Sequence, residues 1–190
     1  MKKIFPLIKV FYFLAIILSN QNILYSQSNE PNKQNPILTK DDLLNARCKL
    51  DYSEGALVEF VELKNGYYNY PAEAIGGGVD SSEYYVEYRN HISCELNGDN
   101  LIDAIIILGE RFGGSGYWQY IIPVINNTGD PYPVKPFRLE DRTVIKSIYK
   151  KGVIVYLDLL VHDIQDGACC PSKQEIWKLR FTNNGFIKLN

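Results

Sequence analysis

Oxygen-bearing side chains recur between residues 95 and 103 in a pattern that suits a hard cation. Counting from Glu95 as position 1, Asn97, Asp99 and Asp103 occupy positions 3, 5 and 9, and the backbone carbonyl of Leu101 falls at position 7. Calcium prefers about six to eight oxygen ligands that converge from a short loop. The pattern therefore predicts a Ca2+ site formed by these five residues. The alternative is a turn in which the same side chains hydrogen-bond to one another without an ion.

The loop differs from an EF-hand and is closer to another class of calcium loop. An EF-hand has glycine at position 6 and glutamate at position 12, where this chain has Asn100 and Ile106. The segment resembles the D-x-N-x-D-G-x-x-D loop of FG-GAP and VCBS-like repeats, in which the loop leads into an apolar strand, here residues 103–108. It departs from that pattern at Glu95, where aspartate is usual, and at Asn100, where glycine is usual.

Three motifs together resemble a group of small exported bacterial proteins that have no assigned function. These proteins carry one such loop, then a Gly-Gly-Ser-Gly turn, and near the C-terminus a Cys-Cys-Pro. In this chain the motifs are residues 95–103, 113–116 and 169–171, so the resemblance spans residues 94–181. It implies an exported protein but no particular activity.

The four cysteines are the second set of residues that could carry chemistry. An exported chain meets an oxidising environment, so an even number of cysteines predicts disulfides, and four cysteines allow three connectivities. We expect Cys48 to pair with Cys94 and Cys169 with Cys170. Adjacent strand residues point to opposite faces, so bridging both to a distant pair would need an irregular backbone. The disulfides would be structural, and the alternative is a thiol or metal sensor that uses Cys169 and Cys170.

Two further groups of residues are candidates for chemistry. His162, Asp163 and Asp166 precede the adjacent cysteines and could form a mixed zinc or copper site with them, but only if the cysteines were reduced. Ser115 follows two glycines, but a hydrolase nucleophile elbow needs Gly-x-Ser-x-Gly, and Tyr117 stands at the last position. The Gly-Gly-Ser-Gly run therefore favours a hairpin turn, and we assign no catalytic residue.

The N-terminus is typical of a secretory signal peptide. Lys2 and Lys3 precede an apolar run whose cleanest part is residues 10–18, which is shorter than the roughly 20 residues that a transmembrane helix needs. We predict a signal peptide over residues 1–26, with cleavage after Ser26. The mature protein would be periplasmic or secreted, without stable membrane insertion.

Charge limits the classes of partner. Removing residues 1–26, which hold three lysines and no acids, leaves 17 basic and 22 acidic residues, a net charge near −5. An acidic chain without a basic cluster in its sequence does not indicate binding to nucleic acid or to anionic lipid. The expected partner is an unknown protein or glycan.

The elements that must position these residues are mostly strands. We predict a disordered lead-in over residues 27–38 and one β-rich domain over residues 39–190, because 14 tyrosines and 8 phenylalanines favour half-buried sheets. Thr39 is expected to cap a short helix over residues 40–48. The fold class is an antiparallel meander or sandwich-like sheet. Hairpin turns are predicted at Asn65-Gly66, residues 113–116, Lys151-Gly152 and Asn184-Gly185.

Three strands carry more specific predictions. Residues 84–93 alternate, which places Val86, Tyr88 and Ile92 on one face. Pro123 lacks a backbone N–H, so the strand over residues 117–125 is expected at a sheet edge or at a bulge. Residues 153–161 are almost entirely apolar, which predicts a central strand.

These observations favour an exported, non-enzymatic binding or cell-envelope protein of unknown ligand, stabilised by disulfides and by calcium. One alternative is an envelope enzyme of the hydrolase type, whose acids come together only in the fold. A flat exposed patch of aromatic residues would favour binding, and an open cleft lined by acids would favour the enzyme.

Overall fold

The computed structural model describes residues 36–50, 58–76 and 80–190. The predicted signal peptide and residues 27–35 of the predicted lead-in lie outside the described residues. The described chain is mostly β, and its antiparallel sheets include a curled half-barrel. No helix within these ranges is long and apolar enough to cross a membrane.

The described elements are two short helices, one 3-10 turn and twelve strands. The helical segments are α1 (Lys40–Leu44), α2 (Ala72–Ile75) and the 3-10 turn (Ser81–Glu83). The strands are β1 (Arg47–Lys49), β2 (Phe60–Glu62), β3 (Tyr67–Asn69), β4 (Tyr84–Cys94), β5 (Asp103–Phe112), β6 (Tyr117–Asn127), β7 (Asp130–Pro133), β8 (Phe137–Arg138), β9 (Val144–Lys151), β10 (Ile154–Val161), β11 (Lys173–Thr182) and β12 (Gly185–Leu189).

Helix α1 begins where the sequence predicts and ends earlier. The Thr39 hydroxyl accepts a hydrogen bond from the Asp42 backbone N–H at 3.2 Å, and the Thr39 N–H donates to the Asp42 carboxylate at 2.7 Å. This reciprocal pair is a capping box. The helix ends at Leu44 rather than at Cys48, because residues 47–49 form β1 and pair with β2.

The end of the predicted disordered lead-in packs against the domain. Leu38 is buried in the core, and the Pro36 carbonyl accepts a hydrogen bond of 2.7 Å from the Asn126 side chain. Residues 36–38 therefore differ from the expectation of disorder, because one apolar side chain and one buried amide hold them in place.

Strands that follow one another along the chain are neighbours in each sheet. The larger sheet has the order β3-β4-β5-β6-β7, with β8 also paired to β6, and the smaller sheet has the order β12-β11-β10-β9. Strands β1 and β2 form a separate two-stranded ribbon. All pairs are antiparallel. Short turns between apolar runs produce this order because they keep successive strands adjacent.

Strand β5 is buried on both faces and separates two core clusters. Ala104, Ile106 and Leu108 point into the first core cluster, which also contains residues of α1 and the β1–β2 ribbon. Ile105 and Ile107 point into the second core cluster, which also contains residues of β10 and β11. The larger sheet therefore lies between the ribbon layer and the smaller sheet.

A bulge in β4 changes which face its side chains occupy. The register with β5 shifts between Tyr88 and Asn90, so one extra residue lies opposite the partner strand. Val86 and Tyr88 pack in or against the first core cluster, whereas Ile92 packs against the second. The prediction that these three side chains share one face is wrong, because the bulge reverses the alternation after Tyr88.

Strand β6 is an inner strand despite its proline. It pairs with β5 on one side and with β7 and β8 on the other, and its register with β5 is continuous through Pro123. The Pro123 carbonyl accepts a hydrogen bond of 2.8 Å from the Val134 N–H. The backbone N and O of one strand residue point to the same side of the strand. The position where Pro123 lacks an N–H donor therefore faces the gap between β7 and β8, where no partner strand needs it. The predicted edge position or bulge is therefore wrong.

The predicted turns are confirmed with small shifts. Asn65 and Gly66 have φ angles of 53° and 85°, as a type I′ turn requires, although the flanking β2 and β3 pair with other strands. The hairpins at residues 113–116 and 183–184 join β5 to β6 and β11 to β12. The β9–β10 loop is Gly152 and Val153, one residue later than predicted.

Strand β10 is an inner strand, as predicted, but only alternate side chains are buried.

We expect Ile106→Ala to lower the free energy of unfolding by about 2–5 kcal/mol, because it removes most of a fully buried side chain and leaves a cavity in its place. Urea unfolding followed by circular dichroism measures the change. Ile176→Ala is the control, because Ile176 is 58% exposed and its truncation should cost about 0.5 kcal/mol or less. Equal losses in the two variants would contradict burial of β5.

Candidate functional site

A groove of the described structure lies where the ribbon meets the edges of the two sheets. It has a volume of about 1110 Å³. The ribbon contributes β1 and β2 side chains, residues 131–138 form a second wall, and the β11–β12 turn and the start of β12 form a third. We call this feature the basic groove, because four of its lining side chains are basic, namely Arg47, Lys49, Lys135 and Arg138.

Two basic side chains of the groove form ion pairs with acidic residues outside its lining. Arg47 lies 3.4 Å from Glu62, and Lys49 lies 2.7 Å from Glu59, with all four side chains more than half exposed. Exposed ion pairs of this kind contribute about 0–1 kcal/mol, so both cations can exchange partners at little cost. Among the described residues that line the groove, none is acidic.

Aromatic rings accompany the cations. The Arg47 guanidinium lies 4.2 Å from the ring centre of Phe60, and Arg138 lies 5.1 Å from that of Trp118. Cation–π contacts of this kind orient a guanidinium while leaving its N–H donors available. Tyr132 is 64% exposed and Phe60 is 37% exposed, so the groove offers ring faces as well as charge.

The predicted calcium residues form one compact loop that is closed by its own hydrogen bonds. The Asp99 carboxylate accepts from the Leu101 N–H at 2.7 Å and from the Asn97 amide at 2.8 Å. The Asn97 carbonyl oxygen accepts from the Asp99 N–H at 3.0 Å, and the Glu95 carboxylate accepts from the Gly98 N–H. Within the described residues, no three His, Cys, Asp or Glu side chains are grouped as a metal site.

Asp103 is separated from the other four residues by its burial. It is 1% exposed, and its carboxylate accepts from the Leu96 N–H at 2.7 Å and from the Asn126 N–H at 2.8 Å. Burial raises the pKa of this carboxyl, while the two N–H donors act in the opposite direction. The carboxylate thus joins both ends of the 95–103 loop to the end of β6.

The cysteines divide into one disulfide and two free thiols. Cys169 and Cys170 form the predicted vicinal disulfide, in an exposed loop. The predicted Cys48–Cys94 disulfide is wrong, since both are free thiols. Cys48 belongs to the first core cluster and Cys94 packs against the second, so the larger sheet lies between them. Burial raises the pKa of Cys48 to about 12 and that of Cys94 to about 11.

The disulfide loop (residues 162–172) is held by Asp166. Its carboxylate accepts from the Asp163 N–H and the Ser172 N–H at 2.8 Å each, and from the Ser172 hydroxyl at 2.7 Å. The Asp163 N–H lowers the pKa of Asp166 most strongly. Because Asp166 is occupied in this way and both neighbouring cysteines are oxidised, the structure does not assemble the mixed metal site considered for His162, Asp163 and Asp166.

Arg142 connects the Gly-Gly-Ser-Gly turn to the disulfide loop. Its guanidinium donates to the Ser115 carbonyl and hydroxyl oxygens, both at 2.9 Å, and to the Ala168 carbonyl. Two motifs that lie far apart in the sequence therefore meet at one side chain. The Ser115 hydroxyl faces a guanidinium, and His91 instead contacts the Tyr88 hydroxyl, so no serine–histidine pair is formed by these residues.

Sequence patterns did not reveal two features. Glu110 is buried, and its carboxylate accepts from the Tyr70 hydroxyl at 2.5 Å and from the Tyr120 hydroxyl at 2.6 Å. The basic groove combines residues from β1, β2, residues 131–138 and residues 183–187. Only the Pro-Tyr-Pro-Val-Lys-Pro-Phe-Arg run at residues 131–138 carried a local signal, because it alternates prolines, rings and cations.

Comparison with protein-family models, curated proteins and solved structures finds no match to this chain. The similarity to FG-GAP-like loops and to exported Cys-Cys-Pro proteins therefore stays a prediction from the sequence.

We expect the full chain, unfolded without reductant, to expose two thiols, and four after reduction, because one disulfide and two free cysteines are present. A colorimetric thiol assay in guanidinium chloride makes the count. In the native protein both thiols should react slowly, because burial raises their pKa values and keeps them protonated.

A count of zero in the unfolded, unreduced chain would show that Cys48 and Cys94 are paired. A count of four before reduction would show that the Cys169–Cys170 disulfide is absent.

Proposed function

We propose that the chain is exported and acts as a non-enzymatic binding protein of the cell envelope, with the basic groove as its ligand site. The observation that carries this proposal is the concentration of four basic side chains and exposed aromatic rings in one groove. The chain as a whole has more acidic than basic residues, so the lining of the groove is more basic than the rest of the chain.

A basic groove on an acidic protein supports an anionic ligand. Like charges elsewhere on the surface repel such a ligand, while the groove attracts it, which favours binding in one place and orientation. Arginine presents a planar fork of N–H donors that matches a carboxylate or phosphate. Arg47 and Arg138 provide two such forks.

The described lining of the groove supports binding more than catalysis. It contains no aspartate, glutamate, histidine or cysteine, which are the side chains that most often act as general acids, bases or nucleophiles. Charge, ring faces and two asparagine amides are the groups that a ligand would meet there.

We expect the full chain to bind dextran sulfate, a sulfated polyanion, and the double variant Arg47→Gln with Arg138→Gln to bind at least about tenfold more weakly. Each lost charge-assisted hydrogen bond is worth about 1.5–3 kcal/mol. Isothermal titration calorimetry at low salt measures the affinity. The matched control is Lys146→Gln with Lys178→Gln, which removes the same charge from exposed positions outside the groove.

Equal loss of affinity in the two double variants would show binding by net charge alone and would contradict the proposal. Absence of dextran sulfate binding by the unmodified chain would contradict it as well.

We propose further that the 95–103 loop binds one calcium ion that stabilises the fold. The support is the loop's geometry: Glu95, Asn97 and Asp99 hold side-chain oxygens within one turn, and Asp103 ties this turn to β6. An ion would replace the hydrogen bonds that these oxygens now accept from within the loop. The protein would then gain the stability that any ligand of the folded state confers.

We expect millimolar Ca2+ to raise the melting temperature, and Asp99→Ala to abolish this increase while the protein still folds. Differential scanning calorimetry measures the shift, and about millimolar is the weak limit for extracellular calcium modules. Asp163→Ala is the matched control, because the Asp163 carboxylate also accepts from a nearby backbone N–H, that of Ile164 at 2.6 Å. If Ca2+ does not shift the melting temperature of the unmodified protein, the calcium proposal is contradicted.

A further inference from the structure

We propose that the occupant of the basic groove is an acidic glycan, a chain of sugars that carry carboxylate groups. This inference rests on the proposed function, since it assumes that the groove takes an anionic ligand. Three observations favour a carboxylated glycan. They are the prolines of one wall, the pairing of rings with cations, and the volume of the groove.

The proline-rich wall does not support a peptide strand. Pro131, Pro133 and Pro136 lie within the run that lines the groove, and proline has no backbone N–H. Strand addition depends on a continuous ladder of backbone donors and acceptors at a sheet edge. Strand β7 holds two of these prolines at the edge of the larger sheet, so an extended peptide would find too few donors along this wall.

Rings and cations both line the groove. On the ribbon wall Arg47 lies over the Phe60 ring at 4.2 Å, and on the wall formed by residues 131–138 the exposed Tyr132 belongs to the same run as Lys135 and Arg138. The π face of an aromatic ring is electron-rich and attracts the C–H groups on the apolar face of a sugar ring. A uronic acid presents such a face and a carboxylate on the same ring, so one sugar would satisfy one ring and one cation together.

The size and remaining polar groups of the groove fit several linked sugars. Its volume of about 1110 Å³ exceeds the roughly 300–1,000 Å³ of sites for single small molecules. Asn183 and Asn184 line the groove at the β11–β12 turn, and an amide can donate to and accept from sugar hydroxyls. Tyr132, at 64% exposure, offers a ring face to a further sugar.

The test compares three hexameric probes by isothermal titration calorimetry with the full chain. Oligogalacturonate carries a carboxylate on each sugar, maltohexaose carries none, and hexaglutamate carries the carboxylates on a peptide. We expect oligogalacturonate to bind and the other two to bind at least about tenfold more weakly, which corresponds to about 1.4 kcal/mol.

Ring variants test the stacking contribution. Tyr132→Ala and Phe60→Ala should each weaken oligogalacturonate binding by about tenfold, since each removes one ring face, a step of about 1.4 kcal/mol. Tyr149→Ala is the matched control, because Tyr149 is 45% exposed on β9 and lies outside the groove. Its affinity should equal that of the unmodified chain.

The outcomes distinguish failure of the glycan inference from failure of the proposed anion-binding function. If hexaglutamate binds as tightly as oligogalacturonate, or if the two ring variants retain full affinity, the glycan inference is overturned while dextran sulfate binding still supports an anion-binding groove. Maltohexaose binding as tightly as oligogalacturonate would also overturn it, since charge would then be irrelevant. If neither oligogalacturonate nor dextran sulfate binds, both the inference and the proposed function fail.

Discussion

The burial of β5 on both faces is the constraint on which the other layers depend. Residues 103–110 are all buried, so this strand needs a packed layer on each side. The ribbon with α1 covers one side and the smaller sheet covers the other. The basic groove lies where the margins of these layers meet. Its lining residues come from the ribbon, the smaller sheet and the margin of the larger sheet, and none belongs to β5.

The same constraint explains the two carboxylates that sit within this apolar strand. Asp103 and Glu110 are both almost fully buried, and a buried carboxylate is tolerated only when hydrogen bonds replace its water. Backbone N–H groups of Leu96 and Asn126 serve Asp103, and two tyrosine hydroxyls serve Glu110. One carboxylate joins the 95–103 loop to β6, and the other joins β5 to β6 and to the end of β3.

Local sequence patterns predicted the turns and the helix cap, because these features depend on the backbone preferences of a few neighbouring residues. The turn at Asn65-Gly66 and the Thr39 cap follow from the backbone preferences of a few residues, and both are present. The bulge after Tyr88 and the inner position of Pro123 were missed, because each depends on a partner strand. The groove was missed for the same reason: the only local signal was the run at residues 131–138, and its other walls come from distant segments.

The division of the cysteines between two cores has a consequence for oxidative folding. A bond from Cys48 to any other cysteine would draw it out of the first core cluster, and a bond from Cys94 would disturb its packing against the second. Misbridged chains therefore lose apolar burial, while the Cys169–Cys170 bond leaves both clusters intact. Packing of the two clusters therefore disfavours every pairing that includes Cys48 or Cys94.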